Sequence, residues 1–259
     1  MNTSKQILIL AYCIFQTSIS FAQLSFDTAF FPFLGRPYVA HTLEQGLSEP
    51  LTINTKEVDC TTFVEYVLAS QIAEMPAIDD DILYDMSVEQ LRYRNGERKG
   101  YLSRLHYFTE WIEQQKNGDF FIEISPSEGL VSNDRSIDFM SKNAHRYPVL
   151  KENPAFIDSL KQIEAQVNQI SWSYTPIQNI DQIIPLLQKG DLIAIVTDIP
   201  GLDISHVGFA YPHNNEIHLL HASSVAKKVI IDRRSLKDYL LNSKKTRGIR
   251  VLRLQPKNK

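Results

Sequence analysis

The 259-residue chain lacks the features that would indicate a nucleic-acid partner, a repeat architecture or several domains. Its 27 basic and 30 acidic side chains give a net charge of −3, which provides no general attraction to nucleic acid. No internal repeat or low-complexity linker divides the sequence. We therefore expect one large domain with a substantial core.

Long apolar runs are also missing, even near the N-terminus. After a short charged region there are only nine consecutive apolar residues, Ile7 to Phe15, whereas a membrane-spanning helix needs about 20. The small residues Ser20 and Ala22 follow in the spacing of a cleavage site. This order predicts a secretory signal peptide at residues 1–22. We expect the mature chain, residues 23–259, to be an exported, periplasmic monomer with no membrane span.

Cysteine is scarce. Of the two in the sequence, Cys13 lies within the predicted signal peptide, so Cys60 is the only cysteine of the expected mature chain. A disulfide within that chain is therefore impossible. A lone thiol in an exported protein is a chemical liability unless it is used, so its presence favours catalysis.

The residues around Cys60 predict a buried helix with the cysteine in its first turn. Asp59 is a good N-cap, and the apolar residues that follow share one helix face: Phe63, Val64, Val67 and Leu68. The positive end of the helix macrodipole would favour a thiolate over a thiol. The alternative is a small buried hydrophobic residue, which is the usual fate of a free cysteine. The polar position of Cys60 favours a nucleophile.

Helix signals dominate the chain up to Gly190, and short runs rich in β-branched residues follow it. Capping and turn residues predict helices from Ser87, over Ser103 to Gln115, and from Asn153-Pro154, with one more capped by Ser235. The predicted strands are Leu192–Val196, His206–Tyr211, Glu216–His221, Lys228–Ile231 and Ile249–Leu254. Helices followed by a strand meander predict an α+β protein, with helices packed on an antiparallel sheet.

A thiol nucleophile needs a base, and His206 and His221 are the leading candidates. If residues 212–215 form a four-residue hairpin loop, Tyr211 pairs with Glu216. The two histidines then become direct cross-strand neighbours on one face, with Cβ atoms about 5 Å apart. The prediction depends on loop length, because a one-residue slip moves one histidine to the other face.

The chemistry assigns the two histidines different roles. His206 would take the thiol proton and later donate it to the leaving amine, and His221 would hold His206 in the right tautomer. The alternative for each is a hydrogen-bonded core residue, which is the expectation for His218. One cysteine and two histidines could also bind zinc, but the short ligand spacings of metal sites are absent, so we expect no metal or cofactor.

Four segments, taken in order, resemble the NlpC-type cell-wall cysteine peptidases. They are Asp59-Cys60-Thr61-Thr62-Phe63-Val64, Leu187-Gln188-Lys189-Gly190-Asp191-Leu192-Ile193, Ile204-Ser205-His206-Val207-Gly208-Phe209-Ala210-Tyr211 and Leu219-Leu220-His221-Ala222-Ser223. The resemblance implies a papain-like core with the nucleophile on a helix and the base on a sheet. By motif, Cys60 matches the nucleophile, His206 the base and His221 the third polar residue. Tyr38 is similar to the family's upstream tyrosine near the oxyanion site, and Asp59, Thr61 and Ser205 are expected substrate contacts beside the catalytic residues.

Two departures from that pattern narrow the resemblance. Thr61-Thr62 stands where the family usually has Ser-Gly, and a helical insertion at roughly residues 85–180 lengthens the interval between Cys60 and His206. With these features the chain resembles the N-acetylmuramoyl-L-alanine amidase-like branch. That branch implies cleavage between the lactyl group of N-acetylmuramic acid and L-Ala in small peptidoglycan fragments, notably anhydro-muropeptides.

The insertion contains a basic, aromatic segment that suits such a ligand. Between residues 92 and 104 there are five basic residues against one acidic residue, Glu97. Basic groups could bind the carboxylates of a stem peptide, and aromatic rings could stack on sugars. The alternative is a solvated surface with the aromatics in its core. The expected ligand contacts are Arg92, Tyr93, Arg94, Arg104, His106, Tyr107 and Trp111.

The sequence is also compatible with two other functions. An endopeptidase of the same fold would cut between γ-D-Glu and diaminopimelate. A non-catalytic module would only bind muropeptides, but it would have no need of Cys60, His206 and His221 together.

Overall fold

A computed structural model of the protein describes residues 26–44, 48–74 and 81–255. The predicted signal peptide lies outside the described residues. The structure confirms the α+β class with an antiparallel sheet. Among the described residues, no helix combines the length and the apolar character that a membrane crossing requires.

The sheet contains eight strands in the order β2-β3-β8-β4-β5-β6-β7, with β1 also paired to β8. All pairs are antiparallel. The five predicted strands are all present, each with one to four additional residues. The strands are β1 Phe121–Ile124, β2 Val131–Ser132, β3 Ser173–Pro176, β4 Leu192–Thr197, β5 Ile204–His213, β6 Glu216–Ser223, β7 Lys228–Ser235 and β8 Thr246–Leu254.

Helices surround this sheet. They are α1 Cys60–Ala73, α2 Ile82–Arg92, α3 Phe108–Asn117, α4 Phe139–Lys142, α5 Pro148–Glu152, α6 Ala155–Val167, α7 Ile180–Ile183 and α8 Leu236–Leu241. Short 3-10 turns occupy Phe31–Phe33, Arg94–Gly96, Tyr101–Ser103, Ala144–Arg146, Ile177–Asn179 and Ile184–Leu186. Residues 85–180, expected as a helical insertion, also contribute β1, β2 and β3 to the sheet, so this segment is not purely helical.

Several predicted helix starts are displaced. Helix α2 begins at Ile82, where Asp81 accepts hydrogen bonds from two backbone N–H groups, whereas Ser87 lies inside the helix and its hydroxyl donates to the Leu83 carbonyl at 2.8 Å. Helix α3 begins at Phe108, because Tyr101–Ser103 form a separate 3-10 turn. Capping residues occur in turns and helix interiors as well as at helix starts, so a capping pattern alone misplaces the boundary.

Helix α1, which begins with Cys60, is deeply buried. Asp59 Oδ1 accepts from the Thr62 N–H at 2.8 Å, and Thr62 Oγ1 accepts from the Asp59 N–H at 2.9 Å, which completes a capping box. Residues 62–70 are all buried, so the helix is enclosed on every side instead of presenting one apolar face. The predicted N-cap at Asp59 and first-turn position of Cys60 are confirmed.

Two hydrophobic cores lie on opposite faces of the sheet. Strand β4 is buried along its whole length, because alternate side chains enter each core. The larger core contains α1 together with Leu192, Ala194 and Val196, and the smaller contains α8 together with Ile193 and Ile195. This sandwich fixes β4 and its neighbour β5, which carries His206.

The hairpin between β5 and β6 corrects the expected four-residue loop. His213 pairs with Glu216 and Tyr211 with His218, so the turn has only two residues, Asn214 and Asn215. Both adopt positive φ (49° and 63°), as the tight hairpin turn of type I′ requires. The register therefore differs by two residues from the predicted one. Because side chains alternate with period two, both histidines keep the same face of the sheet.

Arg92 joins α2 to α1 through a buried ion pair. Its Nε donates to Glu65 Oε2 at 2.8 Å, and its Nη1 donates to the Thr52 carbonyl at 2.6 Å. The side chains of Arg92 and Glu65 are only 1% and 4% exposed. The expected contact between Arg92 and a stem peptide is therefore wrong, because this guanidinium is enclosed in the protein interior.

We expect Arg92→Met to lower the free energy of unfolding by about 3–5 kcal/mol, because it leaves the Glu65 carboxylate buried without its partner. The double variant Arg92→Met/Glu65→Leu removes both charges and should recover much of that loss. Urea denaturation of the wild type and the two variants measures the difference. A double variant as unstable as Arg92→Met alone would contradict this account.

Candidate active site

Cys60 lies where helix α1 meets strand β5. The pairing of β5 with β6 runs from Phe209 to His213, so Val207 precedes the paired segment. The backbone N–H of Val207 and the side chain of Thr61 hydrogen-bond to the Cys60 thiol. Because Val207 follows His206 directly, this contact brings the thiol to the segment of β5 that carries the predicted base.

Burial raises the pKa of Cys60 to about 12, and the neighbouring Asp59 carboxylate contributes to the rise. Hydrogen bonds from the Val207 and Cys60 N–H groups and from Thr61 lower the pKa only partly. The expectation that the helix terminus would favour a resting thiolate is therefore wrong, because desolvation outweighs the helix terminus. A protonated thiol needs a base when it attacks.

His206 and His221 form the closest polar contact of the site. Nε2 of His206 and Nδ1 of His221 are 2.6 Å apart, and the two rings are nearly perpendicular at 86°. Gly208 makes room for this contact, since a Cβ there would lie 2.9 Å from His221 Cβ. With Nε2 directed at His221, only Nδ1 of His206 is left to accept a proton from a thiol.

Both histidines are neutral at physiological pH. Burial, with a smaller contribution from His221, lowers the pKa of His206 to about 3. Burial also lowers the pKa of His221 to about 4, although Asp232 acts in the opposite direction. A neutral imidazole has a free lone pair, which a general base requires.

Three residues beside the histidines were missed at the sequence level. Asp232 Oδ2 lies 3.7 Å from His221 Nε2, and Arg234 binds both oxygens of the Asp232 carboxylate. The Tyr239 ring stacks near His206 and meets His221 edge-on at 5.3 Å. These residues lie on β7 and α8, and no local motif marks them. A correct register for β6 and β7 could have found Asp232.

The remaining predicted residues near the thiol occupy different environments. The structure brings Tyr38 close to the site, since burial and the charges of Cys60 and Asp59 raise its pKa to about 12. Asp59 is engaged mainly in the helix cap, and its Oδ2 accepts a 3.5 Å hydrogen bond from Thr42. Thr61 is half-buried, and Ser205 is exposed at an irregularity in the β4–β5 pairing.

Almost the whole described chain matches one protein family. A family model for N-acetylmuramoyl-L-alanine amidase-like proteins (AmiA-like) matches residues 30–249. The chain belongs to this amidase-like family. It therefore belongs among hydrolases of amide bonds, with a substrate related to peptidoglycan.

Solved structures agree with the family. Two crystal structures of an N-acetylmuramoyl-L-alanine amidase from Bacteroides uniformis are 35% and 36% identical to this amidase-like chain, with TM-scores of 0.83 and 0.84. Each match covers 91% of this chain and 99% of the other. A structure from Bacteroides fragilis, provisionally named a xylanase, is 36% identical over 86% of this chain and 98% of that chain, with a TM-score of 0.79. No protein with a curated description matches the chain.

The basic segment of the amidase-like chain binds its own carboxylates. Arg94 Nη2 pairs with Glu110 at 2.9 Å, and Arg104 binds Glu44 and Glu49 at 2.7 Å each. The Arg104 side chain is only 9% exposed, so its expected role as a direct ligand contact is wrong in this structure. Arg94 is 27% exposed, and its expected contact with a ligand stays a prediction. Their charges are neutralised by ion pairs with glutamates of the same chain.

The predicted aromatic contacts are buried as well. Tyr93 donates to Glu49 at 3.0 Å, Tyr107 donates to Glu164 at 2.6 Å, and Trp111 stacks on Phe108 in the larger core. Tyr93, Tyr107 and Trp111 are at most 1% exposed. These rings cannot stack on a sugar, and the alternative that placed the aromatics in a core is the correct one. His106 also points inward, toward the Tyr101 carbonyl at 2.8 Å.

The lowered pKa values of His106, His206 and His221 predict that acid destabilises this amidase-like protein. Burial lowers the pKa of His106 to about 3, and the neighbouring Arg104 contributes. Each lowered pKa means that the unfolded chain binds protons below its ordinary pKa of 6.5 while the folded chain does not. The contribution of these three neutral histidines to the unfolding free energy is therefore complete above pH 6.5. It is lost as the pH falls toward 3 to 4.

We expect His106→Gln to flatten this loss, because it removes one group whose protonation favours unfolding. Between pH 6 and pH 4, the unfolding free energy of the wild type should fall more steeply than that of the variant, by about 1 kcal/mol per pH unit. Denaturant titrations at several pH values measure the two slopes. Parallel curves would contradict a neutral, half-buried His106.

Proposed function

We propose that this amidase-like protein is an exported, periplasmic enzyme that uses Cys60 as nucleophile, His206 as general base and His221 as the orienting third residue. Its substrate would be the amide between the lactyl group of (anhydro-)N-acetylmuramic acid and L-Ala in peptidoglycan fragments. The observation that carries the proposal is the 2.6 Å His206–His221 contact on the strand whose Val207 amide hydrogen-bonds to the Cys60 thiol.

The proposed reaction begins from a neutral thiol and a neutral imidazole. As the Cys60 sulfur attacks the amide carbonyl carbon, its proton passes to Nδ1 of His206, and His221 supports the resulting imidazolium. The tetrahedral intermediate then collapses, His206 protonates the leaving L-Ala nitrogen, and a thioester with the lactyl group remains. Water, deprotonated by His206, hydrolyses the thioester and restores the thiol.

Tyr38 supports the negative charge of the tetrahedral intermediate in this proposal. Its raised pKa, near 12, keeps the phenol protonated, so its hydroxyl can donate to the developing oxyanion. The same raised pKa has Cys60 and Asp59 among its causes, which indicates that the ring lies next to the reacting sulfur.

The insertion would act on the substrate through the segment that precedes Cys60. Arg104 donates to the carbonyl of Leu43 and to Glu44, and Arg98 donates to the carbonyl of Glu49. These bonds hold Leu43, Glu44 and Glu49, and Thr42, which precedes Leu43, donates to Asp59 Oδ2. We infer that residues 42–44 and Glu49 form the wall of the sugar side of the cleft and exclude a continuing glycan strand.

The other functions fit the site less well. A glycosidase needs two carboxyl groups that flank the scissile bond, whereas Asp59 is held by the helix cap and Asp232 by Arg234. A binding module needs no base beside a thiol.

The papain-like NlpC core is also part of the proposal. The nearest alternative is an endopeptidase with that core, which cuts between γ-D-Glu and diaminopimelate.

We expect Cys60→Ala to abolish turnover while it leaves muropeptide binding measurable. Iodoacetamide should inactivate the wild type and label Cys60.

Because the resting thiol is protonated, His206→Ala should slow the alkylation of Cys60 and should lower kcat by about 10²-fold or more. The exposed His145 provides a matched control, and His145→Ala should change neither rate. Full activity in Cys60→Ala would exclude the cysteine mechanism.

The scissile bond can be tested with one defined substrate. We expect a disaccharide-anhydro-muramyl tetrapeptide to give the free disaccharide and an intact tetrapeptide that begins with L-Ala, whereas polymeric sacculi should be cleaved poorly. Mass spectrometry of the products identifies the bond, with Cys60→Ala as the blank. Release of an L-Ala-D-Glu dipeptide from a free stem peptide, with the disaccharide-peptide intact, would favour the endopeptidase.

A further inference from the structure

A buried carboxylate lies near the ring nitrogen of His221 that does not contact His206. Asp232 Oδ2 lies 3.7 Å from Nε2 of His221. His221 is 1% exposed, and its Nε2 has no hydrogen-bond partner among the described residues. At this separation Asp232 acts on the ring mainly by charge, and an uncompensated buried N–H would be costly without it.

An irregularity in strand β7 places Asp232 there. Leu220 pairs with Ile231 whereas His218 pairs with Ser235, so two extra residues of β7 bulge between these pairs. The His218 ring binds both bulge carbonyls, with Nδ1 3.0 Å from the Asp232 oxygen and 2.9 Å from the Arg234 oxygen. His218, predicted as a hydrogen-bonded core residue, therefore fixes the backbone that presents Asp232.

Arg234 fixes the two carboxylate oxygens in different roles. Asp232 Oδ1 accepts from the Arg234 backbone N–H at 2.9 Å and from Nε at 3.0 Å. Asp232 Oδ2 accepts only one of these bonds, from Nη2 at 2.9 Å, and it is the oxygen that faces His221. The arginine charge offsets part of the aspartate charge, and the negative charge that remains on Oδ2 acts on Nε2 of His221.

The tautomers follow from this arrangement. A proton on His221 Nε2 faces a carboxylate, whereas a lone pair there would face a negative oxygen, so Nε2 is the protonated nitrogen. His221 Nδ1 is then an acceptor, and the 2.6 Å contact requires that Nε2 of His206 donate to it. Nδ1 of His206 is left unprotonated, which is the form that can take a proton from Cys60.

We propose that Asp232 is a positioning residue that sets the tautomer of His221 and, through it, the tautomer of His206. The catalytic consequence rests on the cysteine mechanism proposed above, but the tautomer assignment does not. Without Asp232, His221 can carry its proton on Nδ1 and donate to His206. The proton of His206 then moves to Nδ1, and the base toward Cys60 is lost.

Replacing Asp232 by asparagine gives the sharpest test. Because Oδ1 accepts two of the three Arg234 bonds, the amide oxygen should take that position and the amide nitrogen should face His221. That nitrogen donates, so it should favour a lone pair on His221 Nε2 and reverse both tautomers. Asp232→Ala only removes the preference. We therefore expect the isosteric asparagine to be the more damaging change.

Imidazole ¹⁵N spectra read the tautomers directly, because protonated and unprotonated ring nitrogens have different shifts. In the wild type, both His206 and His221 should be protonated at Nε2. Asp232→Asn should move the protons to Nδ1, and Asp232→Ala should give a mixture. A wild-type His221 protonated at Nδ1, or a tautomer pattern that Asp232→Asn leaves unchanged, would overturn the proposal even if no amidase activity is found.

Kinetics on the muropeptide substrate supply the second measurement. Asp232→Asn should lower kcat by about 10²-fold or more with little change in KM, since a wrong tautomer removes the base without altering the binding cleft. Asp232→Ala should lose about tenfold. The exposed Asp181, which pairs with Lys237 at 2.7 Å, provides the control, and Asp181→Asn should match the wild type. An Asp232→Asn variant as active as this control would also overturn the proposal.

Discussion

The contact between Nε2 of His206 and Nδ1 of His221 couples the protonation states of the two rings. At 2.6 Å one nitrogen must donate and the other accept, so the protonation of each ring determines that of the other. The contact exists because Gly208 leaves space for His221, because a two-residue turn sets the β5–β6 register, and because β4 is packed on both faces. A change in Gly208, in the turn or in the packing of β4 would displace one of the two histidines in addition to destabilising the fold.

Local sequence rules predicted the parts of the site that depend on local structure. The N-cap at Asp59 and the first-turn position of Cys60 follow from side chain to backbone bonding within four residues. The shared face of His206 and His221 was also predicted, although the loop length was wrong. An error of two residues preserves the face of a strand, and Pro212 could be accommodated because it lies beyond the last β4–β5 pair, Leu192–Phe209.

The parts that could not be predicted depend on partners far away in the sequence. From the sequence, Arg104 was predicted to be available to a ligand, but the fold pairs it with Glu44 and Glu49. Trp111 was predicted to stack on a sugar ring, but it is buried in a hydrophobic core. Composition shows that a segment is basic, but not whether its charges are already neutralised. Asp232 is hidden for a similar reason, because a two-residue bulge decides that it faces His221.

The protonation state of Cys60 shows how burial competes with the helix terminus. The helix start and the Val207 amide favour a thiolate, but the low-dielectric surroundings and Asp59 favour the thiol more strongly. The same burial keeps His206 neutral, so thiol and imidazole rest as an uncharged pair. In the mechanism that we propose, charge develops only as the sulfur attacks, in surroundings where fixed dipoles act strongly. Such a mechanism would depend on the tautomer of the base more than on a resting thiolate, so the protonation of His221 would decide the reactivity of the site.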